Sequence, residues 1–437
     1  MPHGSTPDKT CFLQAPHHPD PTLVSRAVGL LCGFGLLALT ATAETATYYV
    51  ATSGDDGNPG TLATPFRTIQ QAADTAKGGD TVYVLPGTYP ESITSTTSGT
   101  ATARIVFESQ TKWGAHIIAG SSFSAWWNDG EYVDIINFDM TGSAIQEGMT
   151  NSASYVRIIG NHVHDFIGTG IDDSLNYSHH DVEYIGNVVH DVGEPGSNQN
   201  HGLYLATKGG RIINNIVYRV VGGYCIHLWH AATDVRIAHN TVSECGSQDS
   251  GGGIVVGAGD SPGGVTLENT RVENNIVIKS ARMGIYETGK TGTNNHFINN
   301  LTYGNATGNF VLQNGDVDQG TMTLDPKFVN PSQDDFHLQS SSPAIDAGVS
   351  LADVSTDFDG TLRPQGSGYD LGAYEFKSGG SLRGDLNRDG KRDLVDVRLL
   401  IYMLLGQQPT TPEADLTGDG AVTLADVQTL IKLLVGF

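Results

Sequence analysis

Six segments of the chain share one pattern: VRIIGNHVHDF (156–166), VEYIGNVVHDV (182–192), GRIINNIVYRV (210–220), VRIAHNTVSEC (235–245), TRVENNIVIKS (270–280) and NHFINNLTYGN (295–305). Each sets alternating apolar residues around one Asn, at Asn161, Asn187, Asn215, Asn240, Asn275 and Asn300, with spacings of 26, 28, 25, 35 and 25. A period of that size holds two or three short strands, too little to bury an apolar face unless it stacks on copies of itself. Stacking would also bring the Asn residues of successive turns into a hydrogen-bonded ladder. The pattern therefore predicts an all-β parallel solenoid.

Bulk composition agrees. The 437 residues include 55 Gly and only 16% charged residues, which suits tight turns between short strands. The length allows two or three domains, or a solenoid with an appendage. A net charge of −23 makes nucleic acid and anionic lipid poor partners. Residues 24–43, VSRAVGLLCGFGLLALTATA, combine a basic residue, an apolar run and a small-x-small ending at Ala41 and Ala43. They read as a secretory signal cleaved before Glu44, with residues 1–23 explained by a start codon assigned too early; the run is too short for a membrane span, so none is expected in the mature protein. Of the four cysteines, Cys225 and Cys245 would remain after cleavage, either paired or as two buried thiols.

The repeat region resembles the right-handed parallel β-helix proteins of the pectate-lyase-like group. The opening YYVATSGDDGNPGTLATPFRTIQQAADTAKGGDTVYVLPGTY strengthens that resemblance, with a helix over roughly Thr68 to Ala76 expected to cap the first coil. DPKFVNPSQDDFHLQSSSPAIDAG and DFDGTLRPQGSGYDLGAYEF look like the tail that often follows such solenoids. The domain reading is a signal region at 1–43, the β-helix at 44–377, a linker at 378–383 and a small all-α module at 384–437.

That last module repeats a loop, DLNRDGKRDLVD (385–396) and DLTGDGAVTLAD (415–426), each followed by an apolar helix. Asp385, Asn387, Asp389, Asp393 and Asp396 occupy positions 1, 3, 5, 9 and 12 of a calcium loop around Gly390; Asp415, Thr417, Asp419, Thr423 and Asp426 do so around Gly420. With Asp at position 12 and one helix per loop, the pair looks like a dockerin, which implies calcium and a cohesin-bearing scaffold as partner. Leu394-Val395 and Leu424-Ala425 stand where dockerins often carry hydroxylated pairs.

Strand alternation extends the reading to a site. If Ile171, Leu203, Ile226, Ile254, Ile285 and Val311 point inward, the next residues form an outward column: Asp172, Tyr204, His227, Val255, Tyr286 and Leu312. A carboxylate, a phenol and an imidazole then stand in a row, with His201, Trp229 and His230 nearby. The preceding strand gives a second outward set, His164, His190 and Tyr218, with Asp165, Asp191 and Arg219 at the turn, and residues 193–200 form a longer loop able to wall a groove. Arg157, Glu183, Arg211, Arg236 and Arg271 form a further outward column that reads as surface ion pairs.

These residues suit proton abstraction at C5 of a uronic acid, followed by β-elimination. Tyr204 is the expected base or acid, His201 and His227 the proton-transfer partner and anion stabiliser, and Asp172 an orienting group or a calcium ligand. The basic residue that β-helix lyases use would be Arg219 or Lys208. Trp229, His230, Tyr286, Lys208 and His190 are expected to bind the polysaccharide. Proton return from the other face would instead give an epimerase. EPGSNQNHGLYLA (194–206) looks like the Asp-Pro-His region of mannuronan C5-epimerases, with Ser197 near the place of its central His. A glycoside hydrolase would use Asp172 or Asp173 with Asp191 or Glu194. Residues 44–383 hold 17 basic and 37 acidic residues, a balance that repels polyanions and keeps the hydrolase open. The same residues also leave room for a metal site at His201, His227 and Asp172, for a calcium ion in the solenoid, and for a solenoid that binds carbohydrate without catalysis.

Overall fold

The computed structural model describes residues 45–120, 122–142, 147–173, 178–258, 265–377, 384–387 and 392–435. The signal region, the proposed linker, Asp389 and Gly390 lie outside the described residues. Three parallel sheets run the length of a β-helix. The first has eleven strands, from Thr47–Val50 to Asp318–Gln319; the second has nine, from Gly87–Tyr89 to Leu301–Tyr303; the third has nine, from Ile93–Ser95 to Gly308–Val311. From Thr81–Val84 to Gly308–Val311 the chain visits them in that order on each coil. Helix α1, Ile69–Thr75, is N-capped by the Thr68 side chain and buries Ile69, Ala72 and Ala73 against the first coil.

The predicted Asn ladder is present and fully buried. Side-chain amides link Asn161 to Asn187 at 3.2 Å, Asn187 to Asn215 at 3.0 Å, Asn215 to Asn240 at 3.0 Å, Asn240 to Asn275 at 2.9 Å and Asn275 to Asn300 at 3.0 Å. Each Oδ1 also accepts the backbone N–H of the preceding ladder Asn, so the ladder satisfies the main chain at a buried corner. The residue before each ladder Asn has left-handed backbone geometry, with φ between 49° and 64° at Gly160, Gly186, Asn214, His239, Asn274 and Asn299. Gly and Asn tolerate that conformation best, which is why they dominate the position. Asn215→Ala would deprive the Asn187 N–H of its acceptor and remove a donor from Tyr184 O and Asn240 Oδ1. We expect a loss of about 2–5 kcal/mol in chemical denaturation.

A second corner shapes the face used below. Gly148, Gly170, Gly202, Gly253 and Gly284 stack immediately before the inward residue of each third-sheet strand. A Cβ on Gly202 would clash with Val217 Cγ1, so this position also faces the core. Cys225 takes the place of glycine in one coil and is disulfide-bonded to Cys245, which resolves the pairing left open by sequence. Because two consecutive residues turn inward here, the residue ahead of the glycine comes out on the same side as the outward column. Simple alternation hides this.

The tail packs back onto the outside of the coils. Phe328, Phe336, Leu371 and Tyr374 cluster with Val188, Ile216, Tyr218 and Ile276, which accounts for apolar residues at outward positions. Asn214, Asn274 and Asn299, the left-handed corner residues, donate side-chain hydrogen bonds to tail carbonyls at Thr356, Val349 and Ala347. In the C-terminal segment, α2 (Leu394–Leu404) and α3 (Leu424–Val435) share a small core of Leu386, Val397, Leu400, Met403, Ala414, Leu416, Val427 and Leu430. Among the described residues no helix is long and apolar enough to cross a membrane.

Candidate functional site

On the third sheet, backbone register aligns Thr150, Asp172, Tyr204, His227, Val255, Tyr286 and Val311. The last position corrects the sequence reading. Ile285 pairs with Phe310, so Phe310 takes the inward place and Val311, 41% exposed, continues the column in place of Leu312. Both Phe310 and Leu312 pack on the core, and the bulkier ring displaces the expected register by one residue.

The residues ahead of the stacked glycines supply a parallel row: Glu147, Thr169, His201 and Tyr224. The two rows interleave into one aromatic cluster. The Tyr204 ring lies 5.0 Å from His201 and 4.5 Å from His227; the two imidazoles are 4.0 Å apart; Tyr224 stacks on His201 at 5.5 Å and on His227 at 4.9 Å. Trp229 lies 5.3 Å from His227 and rests flat on the next coil, where a Cβ on Gly257 would strike its ring. His230 is 6.1 Å from Tyr204 and Tyr286 is 5.8 Å from Tyr224. His201, Tyr204, Tyr224, His227, Trp229 and His230, with Asn198, Gln199, Asp249, Ser250 and Arg282, line a groove of about 490 Å³, and Tyr286 lies beside it. The loop expected to wall the groove therefore does border it, through Asn198 and Gln199.

Both imidazoles are neutral. Burial pushes His201 down to about 3 and His227 well below the usual histidine range, the latter with help from neighbouring His201 and His230. His201 Nδ1 accepts the Tyr224 N–H at 3.1 Å, which assigns its own proton to Nε2. His227 Nδ1 has no hydrogen-bond partner among the described residues.

Next to the aromatics, Glu147 is pushed up to about 8, by burial first and by the Asp172 charge second. The signs follow from proton counts. Between about 3 and 6.5 the unfolded chain binds a proton at His201 that the native state refuses, so stability falls as pH drops through that window. Between 4.5 and about 8 the native state holds a proton at Glu147 that the unfolded chain releases, so stability falls as pH rises. Thermal melts of Glu147→Gln are therefore expected to lose less Tm than wild type between roughly pH 6.5 and 8.

Other predicted residues lie elsewhere. Arg219 is on the second sheet, ion-paired to Asp191 at 2.7 Å and to Asp334 at 2.5 Å, and His190 is its neighbour there. Lys208 bridges to His180 on another surface and pairs with Asp234 at 3.3 Å. None of the three joins the aromatic groove, because the coil turns a corner between sheets. Asp173 is fully buried and accepts hydrogen bonds from Ala206 N–H at 2.6 Å and Thr207 Oγ1 at 2.7 Å. Those contacts turn the Asp173 carboxylate into the coil interior, whereas Asp172 lies in the outward column. Sequence reasoning missed Glu147, Tyr224 and Arg282. The first two carry a signal after all, since each precedes the stacked Gly or Cys position.

In the C-terminal segment Asp396 and Asp426 are fully buried. Asp396 Oδ1 accepts the Leu386 and Asn387 N–H groups and its Oδ2 that of Asp393; Asp426 accepts Thr417 N–H and Thr423 N–H. Asp415 gathers the N–H groups of Gly418, Asp419 and Gly420, which hold its carboxyl below the usual range. Each buried carboxylate oxygen retains lone-pair capacity, and this hard-oxygen set fits a calcium ion.

Residues 383–435 match the family model described as Dockerin type I domain, and residues 52–98 match one described as Protein of unknown function (DUF1565). The uncharacterized protein YwoF of Bacillus subtilis (strain 168) is 42% identical over 59 residues, 14% of this chain and only 13% of that protein's length. The crystal structure of pectate lyase Pel9A superposes with a TM-score of 0.55 at 17% identity, covering 76% of this chain and 97% of the other. A rhamnogalacturonan lyase gives 0.48 at 16% identity, covering 75% and 96%. The chain is thus a parallel β-helix solenoid with pectate-lyase-like structural neighbours, followed by a C-terminal dockerin segment.

Proposed function

We propose that the third-sheet groove binds a uronate-containing polysaccharide and cleaves it by C5 proton abstraction and β-elimination. The observation that carries this reading is a phenol, Tyr204, packed against two neutral imidazoles in a groove that also presents Arg282. Arg282 pairs with the substrate carboxylate and offsets locally the repulsion from the acidic chain. Neutral His201, with its proton on Nε2, donates to the enolate-like anion, as a neutral imidazole can. His227 takes the C5 proton, and the incoming carboxylate favours the imidazolium that forms. Tyr204 protonates the departing glycosidic oxygen as the C4–O bond breaks. Trp229, Tyr224 and Tyr286 offer ring faces to neighbouring sugars.

One observation favours a second reading, a glycoside hydrolase. Glu147 stays protonated near neutral pH beside Asp172, the pattern of a general acid with a carboxylate partner. A panel of uronate and neutral polysaccharides, followed by absorbance and by new reducing ends in parallel, separates the two. Absorbance from the unsaturated product supports the lyase. Reducing ends without absorbance, lost in Glu147→Gln, support the hydrolase.

The dockerin segment is proposed to bind calcium at its two loops and to tether the solenoid to a cohesin. Leu394 and Leu424 are 78% and 61% exposed at the starts of α2 and α3, apolar surface that suits a protein partner. The proposal also places the protein outside the cell, which the Cys225–Cys245 disulfide supports.

A further inference from the structure

We infer, resting on the cleavage reading proposed above, that the aromatic groove is blind at one end, so that the protein takes its polysaccharide by a chain end and removes terminal units instead of cutting mid-chain. The end-on mode of binding follows from the shape of the groove, whichever bond chemistry operates in it.

Neighbouring coils lie about 4.8 Å apart, so the outward column is a ruler along the groove. Counted from Tyr204, the column continues through Asp172 and Thr150 toward the N-terminal coils, and through His227, Val255 and Tyr286 toward the C-terminal ones. The two directions differ in access. On the N-terminal side Glu147, Thr150, Thr169 and Asp172 are each at most 8% exposed, and none of them lines the groove. On the C-terminal side Tyr224, Ser250, Arg282 and Tyr286 are partly exposed and Asp249 is exposed. Among the described residues, every strand residue that lines the groove belongs to the Tyr204 strand or to one on its C-terminal side.

The closed end has a local cause. Thr169 Oγ1 donates to the Gln199 carbonyl at 3.5 Å and accepts the His201 N–H at 3.2 Å, which pins the loop ahead of Tyr204 onto the preceding coil. Asn198 and Gln199 then wall the groove at that end. Toward the other end, Arg282 Nη1 donates to the Asp249 carbonyl at 3.3 Å, which steadies the guanidinium on the open side. Tyr204 and His201 therefore stand at the blind end. A chain bound across them places its last one or two sugars there, and the remainder leaves past Arg282. From Tyr204 to Tyr286 is three coil spacings, roughly 14 Å, space for about three linked sugars. The bond changes are those of the elimination: the C5 proton passes to His227, the C4=C5 double bond forms, the C4–O bond breaks and the departing oxygen takes the Tyr204 proton. The blind end fixes only which bond of the chain reaches these groups.

The test uses the full chain, with homopolymers of galacturonate and of mannuronate as probes. In wild-type digests the expected first soluble products are mono- and disaccharides, with viscosity falling slowly relative to the rise in absorbance. A ladder of longer oligomers with an early loss of viscosity would overturn the inference. Binding is read independently by calorimetry on Tyr204→Phe, which keeps the ring and slows turnover. One protein per chain is expected for short and long polymers alike, because each chain has one matching end. Several proteins on one long chain would overturn end-on binding. If the wild type cleaves neither polymer while the ratio stays at one per chain, the elimination reading fails and end-on binding stands; no binding to either polymer overturns both.

Discussion

Tyr204→Phe is expected to lower the rate of unsaturated-product formation by about 10²–10⁴-fold, the range lost when a positioned acid or base is removed. The readout is absorbance near 235 nm during incubation with uronate polysaccharides, where elimination products absorb, roughly as expected for a conjugated uronate. The substitution deletes one hydroxyl and keeps the ring packed against His201 and His227, so fold and substrate stacking should survive. KM should therefore move little while kcat collapses. Arg282→Gln should show the opposite emphasis, raising KM for uronate chains, because its proposed task is to hold the carboxylate. Unchanged elimination in Tyr204→Phe would remove the phenol from the mechanism, and with it the role assigned to the column.

Calcium removal is expected to unfold the C-terminal segment while leaving the solenoid intact. The segment's core consists of a few buried side chains, principally Leu386, Leu400, Leu416 and Leu430, too few to hold about 50 residues folded unaided. Two ions present at roughly 1,000 times their dissociation constants would each add about 4 kcal/mol, enough to decide between folded and unfolded. Chelation should thus abolish the helical circular dichroism of α2 and α3, and with it cohesin binding. Asp426→Ala goes further than losing a ligand. It also removes the acceptor of the part-buried Thr417 and Thr423 N–H groups, each such bond worth about 1 kcal/mol. Its affinity for calcium at the second loop should fall by at least 10-fold, read by calorimetry. A helical signal indifferent to chelator would sink this account.

Much of the architecture was legible because it obeys short periods. The Asn ladder, the left-handed Gly or Asn ahead of each ladder residue, the α1 cap and the paired Asp-rich loops all arise from short sequence motifs repeated coil by coil or loop by loop. Chain order alone therefore lines up Asp172, Tyr204 and His227. What the sequence could not decide was where the periodicity breaks. The stacked glycine corner turns two consecutive residues inward and so brings Glu147, His201 and Tyr224 onto the same face, a consequence of core packing against Val163, Val189 and Val217 that no alternation rule contains. Coil geometry likewise sent Arg219 and Lys208 away to other surfaces and delivered Arg282 to the groove from three coils beyond His201. Residue identity thus determined the chemistry available to each coil, while the tertiary stacking decided which side chains share a solvent-facing groove, because neighbours across coils are set by register and corners rather than by distance along the chain.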